Sequence, residues 1–317
     1  MKRMIAVILV LAMALCLCAC ASGTAMTMGT GGTAGTYYGY GGILGTQIKN
    51  SAGITVNVVS TDGSKANILG IDAGNYQLGT VQSDVMAYAW AGTRSFETEG
   101  ALDSFRVVGG LYAEAVQLVT MNDEIKTVAD LRGKKVSIGA AGSGVYFNAV
   151  DILAAAGMTE ADIVPQYQSF ADSADALKDG KIDAAFIVAG APTPAIQELF
   201  TTNANARLVP IDGDIAKALM DASPYYTSYE IPASAYNTAE AITTVTVKAT
   251  LIVATSASEE DVYELTKAIF DNIDAITAAH AKGAELSLEN ATSGMTAPFH
   301  KGAAKYFAEK NITVESK

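Results

Sequence analysis

The chain has 317 residues, half of them hydrophobic and 17% charged, with a formal net charge of −12 at pH 7. Such a composition excludes a disordered chain and gives length enough for two modest domains with real cores. The acid excess excludes a nucleic-acid partner, because no basic stripe offsets phosphate repulsion.

Lys2 and Arg3 precede an apolar run from Met4 to Leu17, the pattern of a secretory signal. The run is short for a membrane span and ends in small residues, which favours cleavage over a retained anchor helix. Its junction, Leu17-Cys18-Ala19-Cys20, resembles the lipobox of bacterial lipoproteins, with Cys20 as the lipidated residue. Residues 1–19 then form the signal peptide and 20–27 a lipidated tether, placing the mature protein outside the cytoplasm on a membrane anchor. All three cysteines lie here, so the processed chain is expected to hold no disulfide, thiol nucleophile or cysteine metal site.

The stretch Met28–Gly45 packs glycines, threonines and two adjacent tyrosines between a short apolar segment and a helix-like run. Glycine lets backbone approach a ligand closely, and the following helix would turn its free N–H groups toward a small anion. Thr55–Thr61 reads as a strand, and Ser64 as the cap of a helix over Lys65–Ala73. Tyr76–Val81 reads as a strand, Val85–Gly92 as a helix, and Arg106–Tyr112 and Ala115–Met121 as two apolar runs. Asn122-Asp123 is a turn signal that marks the exit from a first lobe.

A second alternating series follows. Lys135–Gly139 is a strand, AAGSG a glycine turn, Val145–Ala156 a helix, Val164–Gln168 a strand and Ala171–Lys178 a helix. Ile182–Val188 is a buried strand before a helix near Pro192, and Arg207–Ile211 the last strand. Strands separated by helical patterns indicate parallel sheets with helices on both faces. Val245–Thr255 reads as the return crossing. Ser258 opens a helix whose Val262, Leu265, Ile269, Ile273 and Ile276 form one apolar stripe, and a shorter helix near Ala303–Lys310 ends the chain. The division expected is lobe I over 28–121 and 246–317, and lobe II over 122–245.

Ligands of open α/β sheets sit beyond the carboxyl ends of the strands. There the proposed strands present Thr30–Thr36, Thr61–Ser64, Gln82-Ser83-Asp84, Ala140–Gly144 and Val188–Pro192, almost entirely glycine, hydroxyl, amide or alanine. Loops of this kind bind through neutral hydrogen bonds and helix N-termini. No catalytic residue, cofactor or metal is expected.

MGTGGTAGTYY, the QSD at Gln82–Asp84, AVQLVT, DLRGKKVSIGAAGSG and DAAFIVAGAPTPA, in that order, resemble the TAXI family, the extracytoplasmic solute receptors of one branch of the TRAP transporters. ATLIVAT, VYELTKAIFDN and PFHKGA extend the likeness toward the C-terminus. The resemblance implies a two-lobed α/β fold of the type II periplasmic-binding-protein kind. It implies a monomer that captures a small carboxylate, such as glutamate, glutamine or 2-oxoglutarate, and delivers it to an ion-coupled TRAP permease. Carried over by motif, it places Thr30, Gly32, Thr33 and Tyr37 at the cleft, with Ser64, Asn67, Gln82 and Ser83. Ser143, Gly144, Val145 and Ala189 face them from the other lobe.

A receptor that binds the ligand for signalling instead of transport would share this fold and site and differ only in its partner. Two other readings are weaker. Gly29–Ala34 fits the dinucleotide fingerprint G-x-G-x-x-A, but the preceding strand is short and export disfavours a nicotinamide enzyme. A hydrolase lacks G-x-S-x-G and H-E-x-x-H, and the two histidines, His280 and His300, fit surface or capping roles. His280 is expected to complement a helix dipole.

Overall fold

The computed structural model describes residues 24–317; the expected signal peptide and Cys20 lie outside them. The strands are β1 (Ala25–Gly29), β2 (Thr55–Val59), β3 (Leu78–Gln82), β4 (Phe105–Thr120) and β5 (Lys135–Ser137). They continue as β6 (Val164–Gln166), β7 (Ala184–Ala189), β8 (Arg207–Val209), β9 (Thr227–Ile231) and β10 (Ile242–Ala254). The helices of the first half are α1 (Thr36–Ala52), α2 (Ser64–Asp72), α3 (Ser83–Ala91), α4 (Gly144–Ala155) and α5 (Phe170–Lys178). After them come α6 (Pro194–Thr202), α7 (Gly213–Ala222), α8 (Glu259–Phe270), α9 (Ile273–Ala279), α10 (Leu288–Thr292) and α11 (Lys301–Glu309).

Strand order runs β2-β1-β3-β10-β4-β7-β5-β6, with β8 joined to β4 and β9 to β10. Within each half the short strands are parallel, β1 with β2 and β3, and β5 with β6 and β7. The parallel pattern does not extend to the centre, where β10 runs antiparallel to β3 and β4, and β4 antiparallel to β7. The reason is connectivity. β4 carries the chain out of the first lobe and β10 brings it back beside β4, so the two must run in opposite directions. The two apolar runs read as separate are one strand, because Ala113-Glu114 between them stays in the ladder, paired with Lys248 and Val247.

Each lobe has its own core. One gathers side chains from Met26 to Tyr112 and from Ala249 to Phe307. In the other, successive residues of β7 feed opposite faces. Ala184, Phe186 and Val188 pack on the α4 and α7 side, whereas Ala185, Ile187 and Ala189 pack on the α5 and α6 side. Side chains of a strand alternate across the sheet, so a strand covered on both faces reads as unbroken apolar sequence. The result is a two-lobed α/β fold with the long β4 and β10 running through both cores.

Other differences from the sequence reading are local. β1 begins at Ala25 and pairs there with Thr55, so part of the expected tether is sheet. The stripe from Val262 to Ile276 is two helices. Asn272 leaves helical geometry (φ −123°, ψ 30°) and its Nδ2 donates back to the Ala268 carbonyl at 2.9 Å, an alternative partner that asparagine offers a backbone. Ser258 caps α8 as expected, its Oγ accepting from the Asp261 N–H at 3.1 Å. α7 and β9, between Ile211 and Val245, carry few buried apolar residues and were not anticipated.

Candidate ligand-binding site

Three helices begin at one place between the lobes. α1 follows the glycine loop, α2 follows Gly63, and α4 enters from the second lobe after Ser143. The first N–H groups of an α-helix have no intrahelical partner, and they carry the positive end of its dipole. Gly63 holds φ 112°, ψ −146°, a conformation open to glycine and costly for other residues. Ser143 is the N-cap of α4, its Oγ accepting from the Tyr146 N–H at 3.4 Å, which leaves the N–H groups of Gly144 and Val145 for other acceptors.

These ends surround a cavity of about 70 Å³, room for about five water-sized groups at roughly 10–15 Å³ each. The first lobe lines it with Gly32, Tyr37, Asp62, Ser64, Gln82 and Glu114; the second adds Ser143, Gly144, Val145, Ser169, Phe170 and Ala189. The lobes are closed over it. Thr36 Oγ1 donates to the Gly190 carbonyl at 2.7 Å, and the Ala66 and Ala195 N–H groups bond across the gap to Gly142 and Ala34. Deeper, Asn148 Nδ2 donates to Asp84 Oδ2 at 3.0 Å. At the rim Arg94 pairs with Asp151 at 2.5 Å.

Of the residues expected at the cleft, Gly32, Tyr37, Ser64, Gln82, Ser143, Gly144, Val145 and Ala189 line the cavity. Thr30, Thr33, Asn67 and Ser83 do not. Thr30 is fully buried, with its Oγ1 donating to the Val59 carbonyl at 2.7 Å. Thr33 is exposed. Asn67 spends its amide on backbone, donating to the Thr30 and Thr80 carbonyls at 2.6 and 2.8 Å while Thr61 Oγ1 lies 2.7 Å from its oxygen. Ser83 Oγ accepts from the Lys248 N–H instead. In three of them the polar group that marked a ligand contact is spent on backbone of neighbouring strands and loops of the first lobe.

The sequence reading missed Glu114 and the loop Gln168–Phe170. That loop follows β6, so the strand-end rule that found the others also reaches it. Glu114 sits in the continuous strand β4, in an apolar run where an acid is out of place. Its side chain is 2% exposed and Oε1 has no hydrogen-bond partner. Burial pushes its pKa up to about 8, against the pull of Lys282 and of the Tyr37 hydroxyl. The Tyr37 hydroxyl faces Ser64 and Glu114 without completing a hydrogen bond to either. Gln82 Oε1 and Gln168 Oε1 are likewise buried and unpartnered.

The lining contains no lysine, arginine or histidine. Lys65, one residue into α2 and outside the lining, turns to Glu99 at 3.0 Å and to the Ser95 carbonyl. Both histidines act as acceptors: His280 Nδ1 takes the Lys282 N–H and His300 Nδ1 caps α11 through the Gly302 N–H. Burial lowers the pKa of each, so His280 is not the dipole-paired cation expected.

A model of the NMT1-like family matches residues 28–310. Among solved structures, the alkanesulfonate-binding protein SsuA from Xanthomonas axonopodis pv. citri bound to MOPS is 15% identical, with 92% of each chain covered and a TM-score of 0.51. A putative L-cystine ABC transporter protein from Listeria monocytogenes is 19% identical over 83% of this chain and 98% of its own, with a TM-score of 0.53. A protein from Bordetella bronchiseptica RB50 is 18% identical over 90% and 89%, with a TM-score of 0.55. At these identities the likeness concerns the fold, which is that of two-lobed periplasmic binding proteins.

Proposed function

The chain belongs to the NMT1-like family, and on that premise we propose that it is an extracytoplasmic solute receptor that closes its lobes on a small carboxylate. One observation carries the reading: a closed interlobe cavity ringed by three helix N-termini and by buried polar atoms that have no partner within the protein. Buried polar groups are nearly always satisfied. A cavity that leaves several of them open, where N–H groups also converge, is shaped for a polar guest rather than for packing. The carboxylate is met by neutral donors, the N–H groups of Gly144 and Val145 with the hydroxyls of Ser64 and Ser143, as helix termini meet anions elsewhere.

The TAXI-like motifs support delivery to an ion-coupled TRAP permease, with glutamate, glutamine or a dicarboxylate as cargo. The fold alone does not choose a permease. We place the moving units at 28–121 with 246–317 and at 122–245, and the membrane anchor at Cys20. Ligand that touches both lobes favours the closed state by its differential affinity. Thermal shift and calorimetry of the purified chain against small carboxylates test the reading. A ligand present at a hundred times its Kd should stabilise by about 2.7 kcal/mol, and the melting point should rise by several degrees. A chain that binds no carboxylate, amino acids included, is not this receptor.

A further inference from the structure

We propose that Glu114 reads a protonated amine on the ligand, so that the cavity selects an amino acid over the corresponding dicarboxylate or oxo acid. The inference rests on the receptor reading above and adds the second charge of the guest.

The argument starts from what the cavity leaves open. Four lining side-chain atoms are buried without a partner: Tyr37 Oη, Gln82 Oε1, Glu114 Oε1 and Gln168 Oε1. A hydroxyl can donate or accept, and the two amides can turn over to offer N–H₂ instead of oxygen. Glu114 has no such freedom when ionised; it can only accept. A dicarboxylate brings acceptors alone: it could use Glu114 only while that carboxyl keeps its proton, and its second charge would lie in a lining with no lysine, arginine or histidine. An ammonium brings three donors and the one charge that a buried carboxylate needs.

Position supports the division of labour. The Tyr37 hydroxyl lies between Glu114 and Ser64, while Ser64 and Gln82 both crowd Gly144 at the start of α4. The carboxylate of an α-amino acid at Gly144 and Val145 therefore leaves its amine on the Glu114 side. Lys282, the nearest cation to act on Glu114, is already held by Glu285 at 2.5 Å and by the Tyr229 hydroxyl at 3.0 Å. It does not take the place of a ligand amine.

Burial pushes the Glu114 carboxyl up to about 8, so an ammonium that pairs with its ionised form should release a proton on binding. The full-length chain, purified in detergent, is titrated calorimetrically at pH 7 with the twenty common amino acids, with pyruvate and 2-oxoglutarate, and with 1,4-diaminobutane. The titrations are repeated in two buffers of different ionisation enthalpy. The expected result is an amino acid bound at least about a hundredfold more tightly than its oxo acid, because rejecting a guest that leaves a buried polar group unpaired reaches this range. Close to one proton should be released on binding. Glu114→Gln should weaken that amino acid at least about thirtyfold and abolish the proton release, with the ligand-free melting point no lower than that of the wild type. An oxo acid or dicarboxylate bound as tightly as the amino acid would overturn the inference and leave the receptor reading intact. So would an unchanged affinity in Glu114→Gln. Binding of the diamine alone would keep the role of Glu114 and overturn the carboxylate reading. Binding of none of them would overturn both.

Discussion

Replacing Gly144 by alanine should separate closure from folding. Gly144 starts α4 in the second lobe, and Gln82 ends β3 in the first. A Cβ on Gly144 would stand 2.5 Å from Gln82 Cδ, inside contact range of Oε1, and 3.1 Å from Ser64 Oγ. Carbon atoms sit comfortably at about 3.5–4.0 Å, so the Gln82 head group must move by about 1 Å. It is 2% exposed, and the space open to it is the ligand's own. Overpacking of this kind costs about 1–3 kcal/mol. That cost falls on the closed state, because the clashing residues belong to different lobes. Affinity should then drop about fivefold to 150-fold at 1.4 kcal/mol per decade. Folding should not suffer, since alanine suits a first helical turn better than glycine and restricts the unfolded chain, a gain of about 0.4–1 kcal/mol. Gly39→Ala is the control, an exposed position in α1 where a Cβ meets nothing within 4 Å. Calorimetry on the tightest ligand, paired with ligand-free melting curves, reads both effects. Gly144→Ala binding within twofold of wild type, or an equal loss in Gly39→Ala, would refute the argument.

Asn67→Ala should act on stability, by about 2–4 kcal/mol, because it strips the buried Thr30 and Thr80 carbonyls of a donor; an unchanged urea midpoint would contradict this. Burial raises Asp84 to about 7 and Glu114 to about 8, from 3.8 and 4.5. The folded state thus holds their protons more tightly than the unfolded one, and stability present below about pH 4 is lost as pH rises through 7 to 8. Urea midpoints at pH 5 and pH 8 should fall in that order. Asp84→Asn should flatten the slope, whereas a slope unchanged in it and in Glu114→Gln would locate the effect elsewhere. Cys20→Ser should move the protein from the membrane fraction to the soluble one, and a wild-type mature N-terminus without acyl mass would argue against the anchor.

Much of the architecture was legible because alternation of strand and helix leaves a strong apolar pattern. The loops at the strand ends were legible by composition. What composition does not separate is a polar residue that faces a ligand from one that holds the loop. Thr30 and Asn67 have the same chemistry as Ser64 and Gln82. Only the packing shows that the first pair bonds backbone and the second lines the cavity. Glu114 was missed for the opposite reason. An acid is ordinarily solvated, and reading AVQLVT as an apolar run passed over the one residue just before it that breaks the pattern. In a strand with both faces covered, that break was itself the signal.

The same loops also explain why this site carries so little charge. The hydrogen bonds that hold the lobes together near the cavity use backbone and small side chains, Thr36 to Gly190, Ala66 to Gly142 and Ala195 to Ala34. Each is worth about 0.5–1.5 kcal/mol net, weak enough to form and break as the lobes move. A buried ion pair in their place would carry a desolvation cost of several kcal/mol per ion, recovered on every opening, and would bias the equilibrium without ligand. The described interlobe ion pair, Arg94 with Asp151, sits at the rim with the arginine 44% exposed, where such pairs contribute little. Keeping fixed cations out of the cavity leaves closure to be driven by what the ligand brings. On the proposal above, the buried Glu114, with its Oε1 unpartnered, then gives weight to the charge the ligand carries.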